Sequence, residues 1–470
     1  MHLINGWQWR LLKSRPFYKA RLALKRAACI CFGAHLLLGA SLAATTSITP
    51  QQLAAYNEAT EAQRVHILIR LAKTGQPKIA ADLLGQFPLR GPLAENRTLF
   101  ITGLVKESQG NLKGAAHDFR EALANDPKLT MVRAELAETL VKLNENDSAK
   151  HHLQLLEADA PDPQTARGIK SFIDRIDESS PFTYGGYFSI APSTNINNGS
   201  SHSTVYSPPL DVNLTIANQK QSGLGLSGGF NAGYSHRIGE KLQAVISGGV
   251  EGNAYLDPNF DSVSTSESAE MRYLIDGGFL SLGGVASQSY DPLKLDVSFK
   301  SYGPRIATVY QLTQRDLINA NATYEWRDYG PGVTQNGTAL STNLAVTHAL
   351  DSSMNVTVFG GFNRVNGTIG AVSYNTYFGG MNFYKELSMG LTMDASAQVH
   401  FSGFDDVSAL FPTILRNDLR YVGSLTMTKR DINILGFAPS ISYSYTLNTS
   451  NNPAYDFDAH AVDFRFTKDF

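Results

Sequence analysis

The chain has 470 residues, a formal net charge of −2, 43% hydrophobic residues, 40 glycines and two cysteines. That length allows two or three domains, and a near-neutral balance gives no support to nucleic-acid binding. After residue 45 no run approaches the ~18 consecutive apolar residues of a transmembrane helix, so a membrane span in the remainder would have to be a closed barrel.

The first 44 residues read as a signal peptide. Arg10, Lys13, Arg15, Lys19, Arg21, Lys25 and Arg26 precede an apolar run over 27–38, no acidic residue occurs before Ala43, and Ser41, Ala43 and Ala44 supply small residues for cleavage. No cysteine follows the apolar run, as a lipoprotein signal would need. Cleavage after Ala43 or Ala44 removes Cys29 and Cys31 and seven basic residues, leaving 33 Lys+Arg against 42 Asp+Glu. A cysteine-free, acidic mature chain fits the bacterial envelope.

Residues 51–178 change character. Apolar positions recur at helical spacing, and Gly103, Ala115, Phe119, Ala122 and Pro127 fall on the small, small, aromatic, small and proline positions of a tetratricopeptide repeat. Ala137, Ala149, Leu153, Leu156 and Pro161 follow one period later. Small residues let paired helices approach, Phe119 and Leu153 fill the gap to the next pair, and the prolines stop each second helix. Asn111 and Asn144 stand at the turns. A degraded unit is expected over 63–88, with Ile67, Leu71, Ala80, Ala81 and Leu84 as its core. Ile169, Phe172, Ile173 and Ile176 form a closing amphipathic helix. The expectation is an α-helical solenoid of two to three repeats, which serves as a docking surface or as a spacer.

From Phe182 the composition turns to Gly, Ser, Thr, Asn, Tyr and Phe, and the alternation turns to period two, as in 355–359 and 440–445. Long polar breaks fall near 193–220, 256–266, 289–297, 328–337, 364–372, 403–412 and 448–457. Short ones fall near 236–241, 276–277, 313–316, 350–353, 385–388 and 429–431. Seven long and six short breaks separate fourteen segments, and this alternation is the mark of an outer-membrane β-barrel over 182–470. A secreted two-sheet sandwich would not need so many strands. Tyr184 with Tyr187, Tyr374 with Tyr377 and Tyr443 with Tyr445 suggest an aromatic girdle.

No catalytic constellation, metal-ligand set or cofactor motif stands out. His348, His400 and His460 lie in strand segments and read as lumen or interface residues. Asp405–Asp406 and Asp456–Asp458 read as solvated loops, without the spaced ligands that calcium requires. The chain ends on a strict alternation: Val462, Phe464, Phe466 and Phe470 on one strand face, and Asp463, Arg465, Thr467 and Asp469 on the other. Lys468 breaks the apolar face next to the end, where a lysine can snorkel. This tail reads as the closing strand, pairing with the segment that starts at Phe182.

The arrangement of signal peptide, short repeat domain and barrel resembles the surface lipoprotein assembly modulators (Slam). The residues that carry the resemblance are Arg430-Asp431, Gly436-Phe437-Ala438-Pro439, Tyr443-Ser444-Tyr445, Asn448, Ser450-Asn451, Tyr455 and Phe466-Thr467-Lys468-Asp469-Phe470, with 192–198 at the barrel start. The resemblance implies an outer-membrane translocator for client lipoproteins or secreted proteins. A periplasmic repeat domain would engage client or chaperones, and the terminal aromatic would be read by the barrel assembly machinery. It implies no enzymatic step and no cofactor; outer-membrane lipid is the remaining partner. A repeat-bearing exopolysaccharide exporter and a passive porin are the alternatives.

Overall fold

The computed structural model describes residues 48–207, 211–293, 296–430, 432, 434 and 437–468. The signal peptide expected over residues 1–44 and the terminal residues Asp469 and Phe470 lie outside the described residues. Two compact units divide between Ser179 and Ser180.

The first unit is a run of helices: α1 (Pro50–Glu58), α2 (Glu61–Lys73), α3 (Pro77–Gln86), α4 (Ala94–Ser108), α5 (Leu112–Asn125), α6 (Thr130–Lys142), α7 (Asn146–Ala158) and α8 (Pro163–Ser179). Most pack against their sequence neighbours, and α2 also packs on α4, as stacked helical hairpins do. Phe119 is fully buried against Phe100, with ring centroids 6.0 Å apart. A Cβ added at Gly103 would come within 2.7 Å of the Phe119 ring, which is why a glycine stands there. Asn111 caps α5 by accepting from the Gly114 amide at 3.0 Å. Asn144 takes the left-handed turn between α6 and α7 with φ 61°. The degraded unit is a complete hairpin, α2–α3, but its core differs from expectation. Leu68, Ala72, Ile79, Ala80, Leu83 and Leu84 are buried, Ile67 and Leu71 only partly so, and Ala81 is exposed. In α2 the buried face runs one residue later than the repeat template suggests, whereas in α3 Ala80 and Leu84 hold and Ile79 and Leu83 take the place expected for Ala81.

The second unit is a closed barrel. Its strands are β1 (Phe182–Ser193), β4 (Gly223–Ile238), β5 (Leu242–Tyr255), β6 (Ser262–Ile275), β7 (Gly278–Asp291), β8 (Asp296–Gln311), β9 (Asp316–Asp328), β10 (Gly337–Asp351), β11 (Met354–Asn366), β12 (Tyr374–Glu386), β13 (Leu391–Phe404), β14 (Asn417–Lys429), β15 (Ala438–Ser450) and β16 (Phe457–Thr467). Each pairs antiparallel with its sequence neighbour, and β1 closes against β16, so the ring has fourteen strands. Closure pairs every strand edge, as a sheet in lipid requires. A small hairpin, β2 (Thr204–Ser207) with β3 (Val212–Thr215), lies within the first long loop.

Several breaks shift from the expected bounds, 403–412 to 405–416 and 448–457 to 451–456 among them, and three more are informative. β6 begins at Ser262 and β7 extends to Asp291, so the loops expected at 256–266 and 289–297 shrink to 256–261 and 292–295. Ser262, Ser264 and Ser266 look like loop residues but point inward in register with Asn253, Glu251 and Gly249. Conversely, the turn expected at 429–431 runs from Arg430 to Phe437, because apolar Ile432 and Ile434 mimic a continuing strand.

Candidate functional site: the barrel lumen and its two rims

Register and exposure together assign each strand face. In β1 the even positions Phe182, Tyr184, Phe188 and Ile190 are exposed, whereas the odd positions Gly185 and Ser189 are buried. Following paired residues around the ring puts Phe464 and Phe466 outside and Arg465 and Thr467 inside. The exposed large apolar residues of the barrel strands, among them Leu226, Phe230, Ile246, Leu282, Ile306, Leu344, Val358 and Met381, fall on the outer parity. That band is the lipid-facing surface of a membrane barrel. Lys468 lies with Nζ 3.4 Å from the Tyr184 ring centroid at the end of the seam.

Parity also corrects the girdle. Residues three apart occupy opposite faces of a strand. Tyr184 and Tyr377 face outward, whereas Tyr187 and Tyr374 face the lumen. Tyr443 and Tyr445, two apart, share the outer face with His460, whose Nδ1 lies 2.8 Å from the Tyr443 hydroxyl. His348 is also outward, near a short turn, with Nδ1 2.7 Å from Asp316. His400 alone of the three faces the lumen, stacked on Phe378.

The lumen is polar. Serine, threonine, asparagine and glycine dominate the inward positions, as in Ser424, Ser442, Ser444 and Thr446 on β14 and β15. Several of its charges are paired, and others are held by polar side chains. Glu270 sits 3.7 Å from both Arg272 and Arg305 and accepts from the Ser281 hydroxyl at 2.8 Å. Arg465 pairs with Asp463 at 2.7 Å and lies over the Tyr187 ring, and Ser189 donates to Asp463 across the seam. Glu325 accepts from Ser301 at 2.9 Å.

At the long-loop mouth arginines lie on aromatic rings. Arg416 is 4.3 Å from the Phe404 centroid and 3.3 Å from that of Tyr455, and Arg327 is 5.3 Å from that of Phe299. A planar guanidinium stacks well on such rings. Sequence reading missed these groups because no spacing links Glu270 to Arg305 or Arg416 to Tyr455. Counting parity from a known strand start would have marked Glu270 and Arg305 as inward, but Arg416 and Tyr455 lie in connections where no parity applies.

The long loops lean on one another along one side of the rim. Ser201 donates its amide to Asp456 at 2.8 Å, Lys220 pairs with Asp458 at 2.7 Å, and the Ser207 hydroxyl donates to the Leu410 carbonyl at 3.0 Å. Arg364 clasps Asp405 with two hydrogen bonds of 2.7 and 2.5 Å, which hold that carboxyl below the usual carboxylate range. The Asp405–Asp406 and Asp456–Asp458 pairs are thus partly structural, not merely solvated. On α5 of the helical unit, His117, Asp118 and Glu121 bring ligand atoms together, but the Lys106 ammonium already lies 2.7 Å from Asp118. A cation there meets a resident positive charge.

Two ion pairs of the helical unit join helices that are not sequence neighbours: Lys73 of α2 with Glu135 of α6, and Glu107 of α4 with Lys142 of α6. Burial pushes the Glu135 carboxyl above the usual range, against the pull of Lys73.

Comparison with known proteins agrees with this geometry. Residues 183–470 match the family model described as surface lipoprotein assembly modifier, and 108–170 match a tetratricopeptide repeat. The chain is 22% identical over 397 residues to the surface lipoprotein assembly modifier of Pasteurella multocida, covering 78% of this chain and 75% of that one. It is 23% identical over 408 residues to surface lipoprotein assembly modifier 1 of Haemophilus influenzae, covering 82% and 80%. Among solved barrels, a Pseudomonas aeruginosa FadL homologue is similar at 12% identity and TM-score 0.35, covering 69% of this chain and 94% of that one. That likeness is too loose to bear on function. With an outer-membrane barrel whose whole length matches one family model and a repeat unit before it, the chain belongs to the surface lipoprotein assembly modifier family.

Proposed function

We propose that this protein is a translocator that carries specific client proteins, lipid-modified or soluble, from the periplasm to the cell surface. The observation that carries the reading is a closed barrel with a polar lumen in a chain that matches the modifier family over 183–470. The relatives' name supplies the cargo class, and the repeat unit supplies a docking surface for the client or a chaperone. An even strand count returns both ends of the barrel to the short-turn rim, which suits a helical unit held in the periplasm. The work is conduction and recognition by the chain's own residues, without a catalytic step.

The test is gene deletion followed by surface labelling of intact cells. Loss of one or a few surface proteins, with bulk outer-membrane composition unchanged, supports the reading. Aromatic rings at the mouth, among them Phe299, Phe404 and Tyr455, also suit a sugar conduit. Unchanged protein display with loss of extracellular polysaccharide would therefore replace the translocator by an exporter. Removal of 51–178 should leave the barrel assembled and export impaired, and full export by the bare barrel would reduce the solenoid to a spacer.

A further inference from the structure

Charged side chains on the outer face of the barrel mostly stand at strand ends, as Lys385, Lys429 and Lys468 do. Glu267 does not. It lies near the middle of β6 on the outer parity, level with Gly248 of β5 and Ala286 of β7. It is exposed and makes no hydrogen bond or ion pair among the described residues. A carboxyl group in the hydrocarbon layer is costly, and such residues mark sites where a polar partner arrives.

Glu267 also lies in the wall of a groove of about 890 Å³ on that same face. Gly248, Ala269 and Gly284 leave the space, and Tyr234, Tyr302 and Trp326 flank it. The glycines are not there for backbone reasons. A Cβ at Gly248 or Gly284 would meet nothing closer than a carbonyl oxygen at 3.6 or 3.7 Å. The rim beyond the groove is low. The connections 256–261 and 292–295 are short, show no hydrogen bond to another loop among the described residues, and expose Leu256 (85%) and Leu293 (56%).

We infer that this groove docks the acylated N-terminal cysteine of a lipid-modified client on the membrane side of the barrel. The inference rests on the translocator reading and deepens it. An ordinary phospholipid places only acyl chains at this depth and offers Glu267 no donor. An acylated cysteine moving between leaflets brings amide N–H groups with its chains into the hydrocarbon layer. There an unmet N–H costs several kcal/mol. Glu267 supplies the acceptor, the small residues make room for the chains, and the low rim leaves the exit toward the surface uncovered.

The test uses the full-length protein in phosphatidylethanolamine–phosphatidylglycerol liposomes. The probe is a synthetic triacylated cysteine peptide with a diazirine in one acyl chain. Photolabelling should concentrate on β5–β8. Glu267→Leu, and Gly284→Phe as a groove filler, should each cut it about tenfold, the scale of one buried hydrogen bond to a charged or strongly polar group. Glu267→Gln, which keeps an acceptor, should retain most of it. Heat-modifiable migration on gels confirms that each variant barrel is assembled.

The inference is overturned if label spreads evenly around the barrel or Glu267→Leu leaves it unchanged. It is also overturned if phosphatidylethanolamine carrying the same diazirine chain labels the same residues equally well. Peptide docking in the groove with no client reaching the cell surface would sink the translocator reading alone. Export of a lipidated client undiminished by Glu267→Leu would sink the groove alone.

Discussion

Phe119→Ala removes the largest fully buried apolar ring of the second helical pair, one in contact with Gly103 and Phe100. Truncating a buried phenylalanine costs about 3–5 kcal/mol, against a stability of ~5–15 kcal/mol for a unit of this size. At roughly 3–4 °C per kcal/mol, the helical melt should fall by about 10–20 °C. Gly103→Ala acts in the opposite sense, forcing a methyl against the same ring at a cost of about 1–3 kcal/mol. In the double variant the new methyl enters the space that the ring vacates. The two costs should therefore fail to add, with a favourable coupling of about 1 kcal/mol or more.

The assay is thermal melting followed by helical circular dichroism, with heat-modifiable gel migration reporting the barrel separately. The barrel readout should not change. Additive losses would refute the packing account of Gly103. A simultaneous loss of the barrel would show that the two units do not unfold independently.

Asp162 accepts the Thr165 hydroxyl at 2.7 Å and the Gln164 and Thr165 amides at 2.8 and 2.9 Å, at the start of α8. These bonds, the Thr165 hydroxyl first, hold its carboxyl below the ordinary value. Because the folded value is lowered, the stabilisation is present above the unfolded value near 4 and is lost as pH falls through the folded one. Asp162→Ala should lower the melting temperature at neutral pH and flatten its acid limb; an unchanged acid limb would remove this contribution. Gly277 takes φ +90° in the two-residue turn between β6 and β7. Gly277→Val should cost about 1–2 kcal/mol and slow the appearance of the heat-modifiable barrel band, and wild-type assembly kinetics would refute the strain argument.

Where one-dimensional periodicity carries the signal, the sequence alone determined the architecture. Alternation and turn residues yielded fourteen strands, including the two-residue turn at Asp276–Gly277, because a membrane barrel pairs each strand with its sequence neighbour. The repeat phase marked Phe119 and Leu153 for the same reason: each repeat packs its core against the repeats beside it. The failures lie where one code serves two environments. Ser262, Ser264 and Ser266 are as polar as a loop yet line the lumen, and Ile432 and Ile434 are as apolar as a strand yet lie in a turn.

What only the tertiary structure decided is which residues meet around the ring. Closure gave every position a face, separating Tyr184 from Tyr187, and brought Arg305 to Glu270 and Arg416 to Tyr455. It also placed Glu267 beside Gly248 and Ala286 on the face that lipid covers. A linear pattern records the alternation along each strand. The stagger between strands, set by hydrogen-bond register, decides what lies beside what.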